Sequence, residues 1–451
     1  MEARCQFLFP FSIRPGQERA LKRRLKQEGY SRYVPDQQKQ RERRLQSYFL
    51  PHVQRVLFPR GEEEPGFHQY TCPAGLDCML QTPHMRIPFR LHSLDVVIAP
   101  FGLGFVTLRT ALDAETYTEA LHFAGQFRVL ETLAHGDDSP IVHHQDHRFA
   151  TVEDFLFQCA APFLETFLCS REEAGRFQTL PFFVDERMFV ISYFLFPDGT
   201  QFDAADLFRA GHLHSLDQRG NPFVGASNPA YLQDYRHRHG YDRWAPHTWY
   251  VADEQSFACL VTEANEEHPR LARMMEGELY TLVLLTLFQK IALLSFSHRY
   301  SRVRFERDDD QIDELVRDIT HFSARYVFPE TVTEAQGREL FRLLETAFAI
   351  EPLYSDVRQT LHSLFQYQEK FSDKRNNYLL LILTIYTVVS GIFGMNLVVP
   401  DLEKQVNWAT IWGDSPVDHL VSFIMVSGVL IGGGLGLSAL FQWLKELRKK
   451  R

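Results

Sequence analysis

Two stretches of the chain are apolar without interruption, and both lie near its end. Tyr378–Val399 (YLLLILTIYTVVSGIFGMNLVV) carries no charge over 22 residues. As a helix rising about 1.5 Å per residue it would cover roughly 30 Å, one hydrocarbon core. Leu420–Leu444 (LVSFIMVSGVLIGGGLGLSALFQWL) is the second run, also uncharged. A third apolar block, Leu279–Ser297 (LYTLVLLTLFQKIALLSFS), is interrupted by Gln289 and Lys290. Its unbroken part is too short to cross a bilayer, so it is expected as a buried helix of a folded domain.

Before these runs the pattern alternates between helix and strand periods. Residues 15–60 read as helices, with strong helix formers in GQERALKRRLKQEG and DQQKQRERRLQSYFLPHVQRVL, ended by Pro59 and Gly61–Gly66. Strand signals begin near Arg86. Leu94–Arg109 predicts a hairpin around Phe101-Gly102-Leu103-Gly104. Ala114–Leu130 and Asp154–Leu168 read as helices, and Met188–Phe196, Thr248–Ala252 and Ser256–Val261 as strands. Residues 211–247, rich in His, Gly, Asn and Pro, read as a long loop. After residue 265 the chain turns helical, over Arg270–Arg299, Asp308–Arg325 and Thr333–Ala349, with Glu351-Pro352 as an interruption. From Leu353 the helical pattern runs unbroken into the first apolar run, a helix of more than forty residues.

The expected fold is an α+β cytoplasmic domain over 1–265 and a helical and stalk region over 266–377. Two C-terminal transmembrane helices follow at 378–399 and 420–444, joined by an external loop over 400–419, with a basic tail at 445–451.

Charge sets the orientation. Lys370, Lys374 and Arg375 precede the first span, and Lys445, Arg448, Lys449, Lys450 and Arg451 follow the second. The loop between the spans has Lys404 alone, beside Asp401, Glu403 and Asp414. Basic flanks stay inside, so both termini are expected in the cytoplasm and the loop outside. The amino terminus has no apolar core long enough for a signal peptide, and the six cysteines are accordingly expected to be reduced. Net charge is −9, yet residues 14–44 hold eleven Lys and Arg against four acids. Without interleaved aromatics that stretch reads as solvated helices, and no nucleic-acid partner is expected.

On a helical first span, Thr384, Thr387 and Gly391 share one face, which Leu380 and Asn376 extend inward. Such threonines either bond back to their own helix or mark a water-filled cavity or helix contact. Gly394-Met395-Asn396 closes the span. Gly and Asn are common helix C-caps, but Asn396 also offers a neutral carbonyl oxygen. A ring of such oxygens suits Mg²⁺, which keeps several waters, and lets the ion leave again. Gly428, Gly432 and Gly436 of the second run recur at intervals of four, a face on which helices approach closely in lipid.

Gly-Met-Asn at the end of the penultimate span, followed by an acidic loop, a last span and a basic tail, resembles the CorA superfamily of divalent-cation channels. The resemblance implies a funnel-shaped homopentamer whose first span lines the pore. Gly394, Met395 and Asn396 would then form the selectivity filter, and Asn376, Leu380, Thr384, Thr387 and Gly391 the pore lining. Leu380 would be the hydrophobic gate, with Thr384 standing where some members carry methionine. Asp401 and Glu403 of the loop would concentrate cations at the mouth, with Pro400-Asp401-Leu402 in place of a Pro-Glu-Leu sequence. The family's regulation by cytosolic Mg²⁺ would suit Asp308, Asp309 and Asp310, which also read as ordinary helix-start acids.

The expected function is passage of divalent cations, foremost Mg²⁺, into the cytosol through a cell or inner membrane, driven by the membrane potential. No G-x-x-x-x-G-K-[ST] loop for ATP is present. No cofactor beyond the transported and regulatory ion is expected, with Zn²⁺ or Co²⁺ as other cargo. Expected partners are the bilayer, divalent cations and further copies of the chain. A zinc transporter of the same superfamily is the nearest alternative, because His68, Cys72, Cys78 and His84 have zinc-ligand chemistry, though no familiar finger spacing. His143, His144, Asp146 and His147 form a weaker group, and His237 and His239 another. A non-conducting, membrane-anchored sensor or scaffold is the alternative of a different class. An enzyme is not expected, since no nucleophile–base or paired-carboxylate arrangement stands out.

Overall fold

The computed structural model describes residues 1–36, 38–130, 140–169, 187–303 and 309–396, with Phe423 and Ser427 beyond them. For residues 41, 309, 368–379, 385–386 and 388–396 only the backbone is described. The chain divides into two compact units, Met1–Leu364 and Phe365–Arg451.

Near the start of the chain, Cys5–Phe11 (CQFLFPF) is apolar almost throughout, the mark of a strand covered on both faces. It lies in β1 (Glu2–Ser12), which is buried along nearly its whole length. The other strands follow as β2 (Ser31–Arg32), β3 (His68–Gln81), β4 (Arg86–Ile98), β5 (Leu103–Asp113), β6 (Ile141–His144), β7 (His147–Phe149), β8 (Phe189–Phe196), β9 (Gly240–Tyr241), β10 (Thr248–Ala252) and β11 (Ser256–Thr262). Among the described residues they form one mixed sheet in the order β7-β6-β3-β4-β5-β1-β8-β11-β10-β9, with β2 beside β3. The β8–β11 pair is parallel; the others are antiparallel.

Helices cover both faces. Those ahead of the last strands are α1 (Glu18–Gln27), α2 (Gln40–Tyr48), α3 (Pro51–Leu57), α4 (Tyr117–Phe127), α5 (Val152–Phe155), α6 (Ala204–His212) and α7 (Pro229–His239). After the sheet come α8 (His268–Glu276), α9 (Glu278–Arg302), α10 (Asp309–Arg325), α11 (Ala335–Ala347) and α12 (Ile350–Asn396). Alternation along β1 sends odd residues to one side and even residues to the other. Phe7 meets Phe123 and Phe127 of α4 at 5.8 and 4.8 Å between ring centroids. Gln6 points the opposite way and donates to Met275 O of α8 at 2.8 Å. α8 therefore lies on the sheet's second face, and the chain up to Leu364 belongs to the same compact unit, so the boundary read at 265 falls inside it.

The apolar helix α9 is buried along most of its length, Leu279–Gln289 included. Gln289, one of the two polar breaks in its pattern, donates to Tyr326 O at 2.7 Å. Lys290 lies over the Phe348 ring at 5.3 Å.

The β4–β5 hairpin turns at Phe101 and Gly102, both at positive φ (62° and 69°). A left-handed phenylalanine costs energy. Here its ring is held among Phe296, Tyr326 and Phe288 at 5.3, 5.6 and 6.3 Å.

Three readings from the pattern need correction. Residues 211–247 are not one long loop, because α7 lies within them. Asn228 caps it by accepting from Ala230 N at 3.0 Å, and Pro229 occupies its first turn; Asn-Pro is a helix-start signal. Strands begin at Glu2, not near Arg86: β1, the short β2 inside the stretch read as helices, and β3 from His68 all precede it, and in β3 the Pro73–Leu76 bulge blurred the alternation that would have marked it. Asp154–Leu168 is no single helix. α5 runs into a π-turn at Leu156–Ala160 and, after Ala161, a 3₁₀ segment at Pro162–Phe167, since Pro162 lacks the N–H to continue.

The basic amino-terminal stretch is answered by the acids of the 61–66 turn. Lys26 pairs with Glu62, Arg19 with Glu63 at 3.2 Å, and Lys22 donates to Glu62 O at 2.8 Å. These are exposed pairs of small individual worth.

Candidate functional site

The longest helix, α12, has 47 residues and carries the predicted pore positions. It starts just past Ala349, whose φ of 53° breaks the chain from α11, so Glu351-Pro352 sits in the first turn of the new helix. Pro is tolerated there because the first N–H groups of a helix have no partner within it. Along the apolar part, Leu380, Leu381, Ile382 and Leu383 are 59, 56, 45 and 61% exposed. At 100° per residue these four point to every side of the helix.

Thr384 Oγ1 donates to Leu380 O and Thr387 Oγ1 to Leu383 O, each at 2.7 Å. The threonines thus satisfy their own protons within the helix. Each hydroxyl keeps its lone pairs on an exposed face, as acceptors for a cation or its water. Asn376 and Gly391 belong to the same helix, which Gly394, Met395 and Asn396 complete. Asp401, Glu403, Gly428, Gly432, Gly436 and Asp308 lie outside the described residues. Asp309 opens α10 and Asp310 follows it, exposed.

The candidate zinc ligands are not brought together. His68, Cys72 and Cys78 all lie on β3, where ten residues at about 3.3 Å each separate the ends by about 30 Å. His84 sits in the turn between β3 and β4, beside Gly220. His68 Nε2 donates to Glu64 O at 2.9 Å, and burial lowers its pKa to about 4. Burial raises the Cys72 thiol and pushes Cys78 up to about 12, so both stay protonated. Cys78 Sγ approaches His144 Nδ1 at 3.8 Å, but that nitrogen already meets Asp77 O at 2.9 Å. His143 bonds to Gln81 at 3.0 Å and His239 to Ala252 O at 2.9 Å; His237 is exposed. Asp146 occupies the β6–β7 turn, and His147 opens β7. Among the described residues no three His, Cys, Asp or Glu side chains assemble as a metal site.

Two polar groups escaped the pattern. His122 of α4 is buried between Thr82 Oγ1 at 2.9 Å from Nε2 and Ser215 Oγ at 3.0 Å from Nδ1. Burial lowers its pKa to about 4, with the charge of His84 as a second cause. The unfolded chain takes up this proton near pH 6.5 and the folded chain only near 4. Stability from His122 is therefore full above pH 6.5 and lost as pH falls toward 4, by up to about 3 kcal/mol. His68 adds a loss of the same sign. In thermal melts between pH 8 and 4, His122→Leu should start less stable at pH 8 but fall less steeply below 6.5. A slope equal to wild type would contradict a neutral, buried His122.

The second group is a cavity of about 760 Å³ between the β1–β5–β4–β3 face and the α8–α9 junction. At its floor Asp95 Oδ2 accepts from Arg109 Nε at 2.8 Å and from Gln69 Nε2 at 3.3 Å. Arg109 Nη1 donates to Gln6 Oε1 at 2.7 Å and Glu276 O at 2.8 Å, and the guanidinium stacks 4.4 Å above the Tyr280 ring. The available signal was one charge in each of two apolar runs, Asp95 in LDVVIAP and Arg109 in FVTLR.

Compared with protein-family models, with curated proteins and with solved structures, the chain has no significant match.

Proposed function

We propose that the protein is a CorA-like divalent-cation channel, a homopentamer that admits Mg²⁺ to the cytosol through a pore lined by α12. The observation that carries this reading is the contrast between two apolar helices. α9 is sheathed by protein, while Leu380–Leu383 of α12 expose apolar side chains on every side. A helix apolar all round needs protein or lipid as its surroundings. Hydrocarbon supplies them on one side, and neighbouring copies of the helix on the other. The hydroxyls of Thr384 and Thr387 then face the axis as acceptors, and Asn396 ends the pore with neutral oxygens that grip the ion's hydration shell. Entry is downhill, since two charges moving through 100 mV gain about 4.6 kcal/mol. Cytosolic Mg²⁺ holding the pore closed completes the proposal.

The test is Mg²⁺ flux into liposomes holding the purified protein at low internal Mg²⁺, wild type beside Asn396→Ala. Flux in the wild type that drops at least about tenfold in an intact Asn396→Ala oligomer is the expected result; each 1.4 kcal/mol of lost interaction is worth a factor of ten. Equal flux in both removes Asn396 as the filter. Zn²⁺ flux without Mg²⁺ flux assigns the pore to zinc, and no flux of either ion beside an active control channel makes the protein a non-conducting sensor. Patch recordings indifferent to cytosolic Mg²⁺ would refute the gating.

A further inference from the structure

A groove of about 360 Å³ is walled by Gln40 and Arg44 of α2, by Arg270, Arg273 and Met274 of α8, and by Glu278 at the start of α9. It lies wholly within Met1–Leu364, so its reading does not depend on the pore. Arg44 and Arg273 are exposed, and their guanidinium groups make no hydrogen bond or ion pair among the described residues. Arg270 donates Nη1 to Glu267 at 3.0 Å, while its Nε is buried without a hydrogen-bond partner among the described residues. The Nε–Nη2 edge of that guanidinium, the one that meets an oxyanion side-on, is thus left without an acceptor. Glu278 is buried and itself partnered. Even with Glu267 and Glu278 counted in full, the three arginines leave the groove positive.

Stability does not explain this arrangement. Arg270 and Arg273 stand three apart on one helix, and like charges at that spacing repel. Arg44, from a distant part of the sequence, brings a third guanidinium to the same groove. An anion relieves the repulsion. Guanidinium forks match phosphate oxygens, and a phosphomonoester offers three acceptor oxygens and a charge of about −1.5 to −2 near pH 7. A carboxylate presents two oxygens in one plane, a poorer match to donors from two helices. The groove has room beyond the phosphate, along Gln40 and Met274, for the group esterified to it. We propose that this groove binds a phosphomonoester, its terminal oxygens held by Arg44, Arg270 and Arg273. A soluble metabolite and a lipid headgroup share that chemistry.

Titration calorimetry of the detergent-solubilised full chain, in buffer free of phosphate and sulfate, tests it with two probes. One is glycerol 3-phosphate; the other is phosphatidic acid in mixed micelles, against phosphatidylcholine alone. Saturable binding of at least one is expected in the wild type. Arg44→Gln and Arg273→Gln each remove an unpaired charge, and each should weaken binding at least about tenfold at an unchanged melting temperature. Arg23→Gln, at an exposed arginine of α1, should leave binding unchanged. Binding of glycerol 3-phosphate assigns the groove to a soluble ester, and binding of phosphatidic acid alone assigns it to lipid. No saturable binding of either probe, or binding unaltered in both groove variants, would overturn the proposal. Equal weakening in Arg23→Gln would overturn it too, as attraction to general positive charge. Loss of the oligomer in the groove variants, with no phosphate binding in the wild type, would give the groove to an acidic segment of a second copy instead.

Discussion

Replacing Asp95 by alanine is expected to destabilise the sheet unit by about 3–5 kcal/mol, the cost of leaving one partner of a buried ion pair alone. Arg109 is mostly buried and anchors three places at once. It holds Asp95 on β4, Gln6 on β1 and the carbonyl of Glu276 at the end of α8. Without Asp95 its remaining hydrogen bonds among the described residues go to neutral acceptors, Gln6 Oε1 and the Glu276 carbonyl, with the Tyr280 face beneath it. Thermal melts of the purified protein should show a large fall in midpoint for Asp95→Ala. The double variant Asp95→Leu/Arg109→Met should be more stable than Asp95→Ala alone, since two apolar residues leave no buried charge. A single variant that melts with wild type, or a double variant worse than both singles added, would show that the pair is not the clamp between sheet and α8.

The second large effect is expected from one methyl group. Gly211 in α6 has ordinary helical geometry, so alanine there should by propensity alone be welcome. Its surroundings reverse the sign. A β-carbon would stand 1.9 Å from Tyr235 Oη and 3.2 Å from Val251 Cγ1. Tyr235 would have to move, and its hydroxyl donates to the buried Asp253 Oδ2 at 2.6 Å. Overpacking and the lost charge-assisted hydrogen bond together put the cost of Gly211→Ala at about 3 kcal/mol. Tyr235→Phe alone should cost about 1.5–3 kcal/mol through the same bond. The two changes should be strongly non-additive, because removing the hydroxyl makes room for the methyl. Strict additivity in melts of the two singles and the double would mean that Gly211 and Tyr235 do not compete for that space.

Local rules made much of the architecture legible. The period of two and the Gly-rich turn placed the β4–β5 hairpin. The strand assignments at 188–196, 248–252 and 256–261 rested on short apolar runs bounded by turn residues, and β8, β10 and β11 fall there. The unbroken helical pattern from Leu353 matched a helix that spans 47 residues, Ile350–Asn396. These succeeded because each depends on residues close in the chain. Where local signals conflicted, the reading failed. β3 carries a proline, a glycine and a bulge, and α7 is a polar helix with little more than Tyr235 buried.

For the site, the same division holds. The uncharged runs, their basic flanks and the Gly394-Met395-Asn396 ending were present in sequence order, and the channel reading grew from them. The sequence could not tell which apolar helix the protein itself would cover. α9 and the first part of the 378–399 run are alike in composition. Packing against the sheet and the neighbouring helices α8, α10 and α11 buries one, while Leu380–Leu383 of the other stay exposed. Nor could spacing show that His68, Cys72 and Cys78 are strung along a single strand, or that Asp95, Arg109, Gln6 and Glu276, from four segments far apart in the chain, meet in one cavity. Hydropathy and capping act within a few residues and were determined by the sequence itself. Burial of a charge, and the company it keeps, depend on strand order and on which helix closes over the sheet, and the tertiary structure alone decided them.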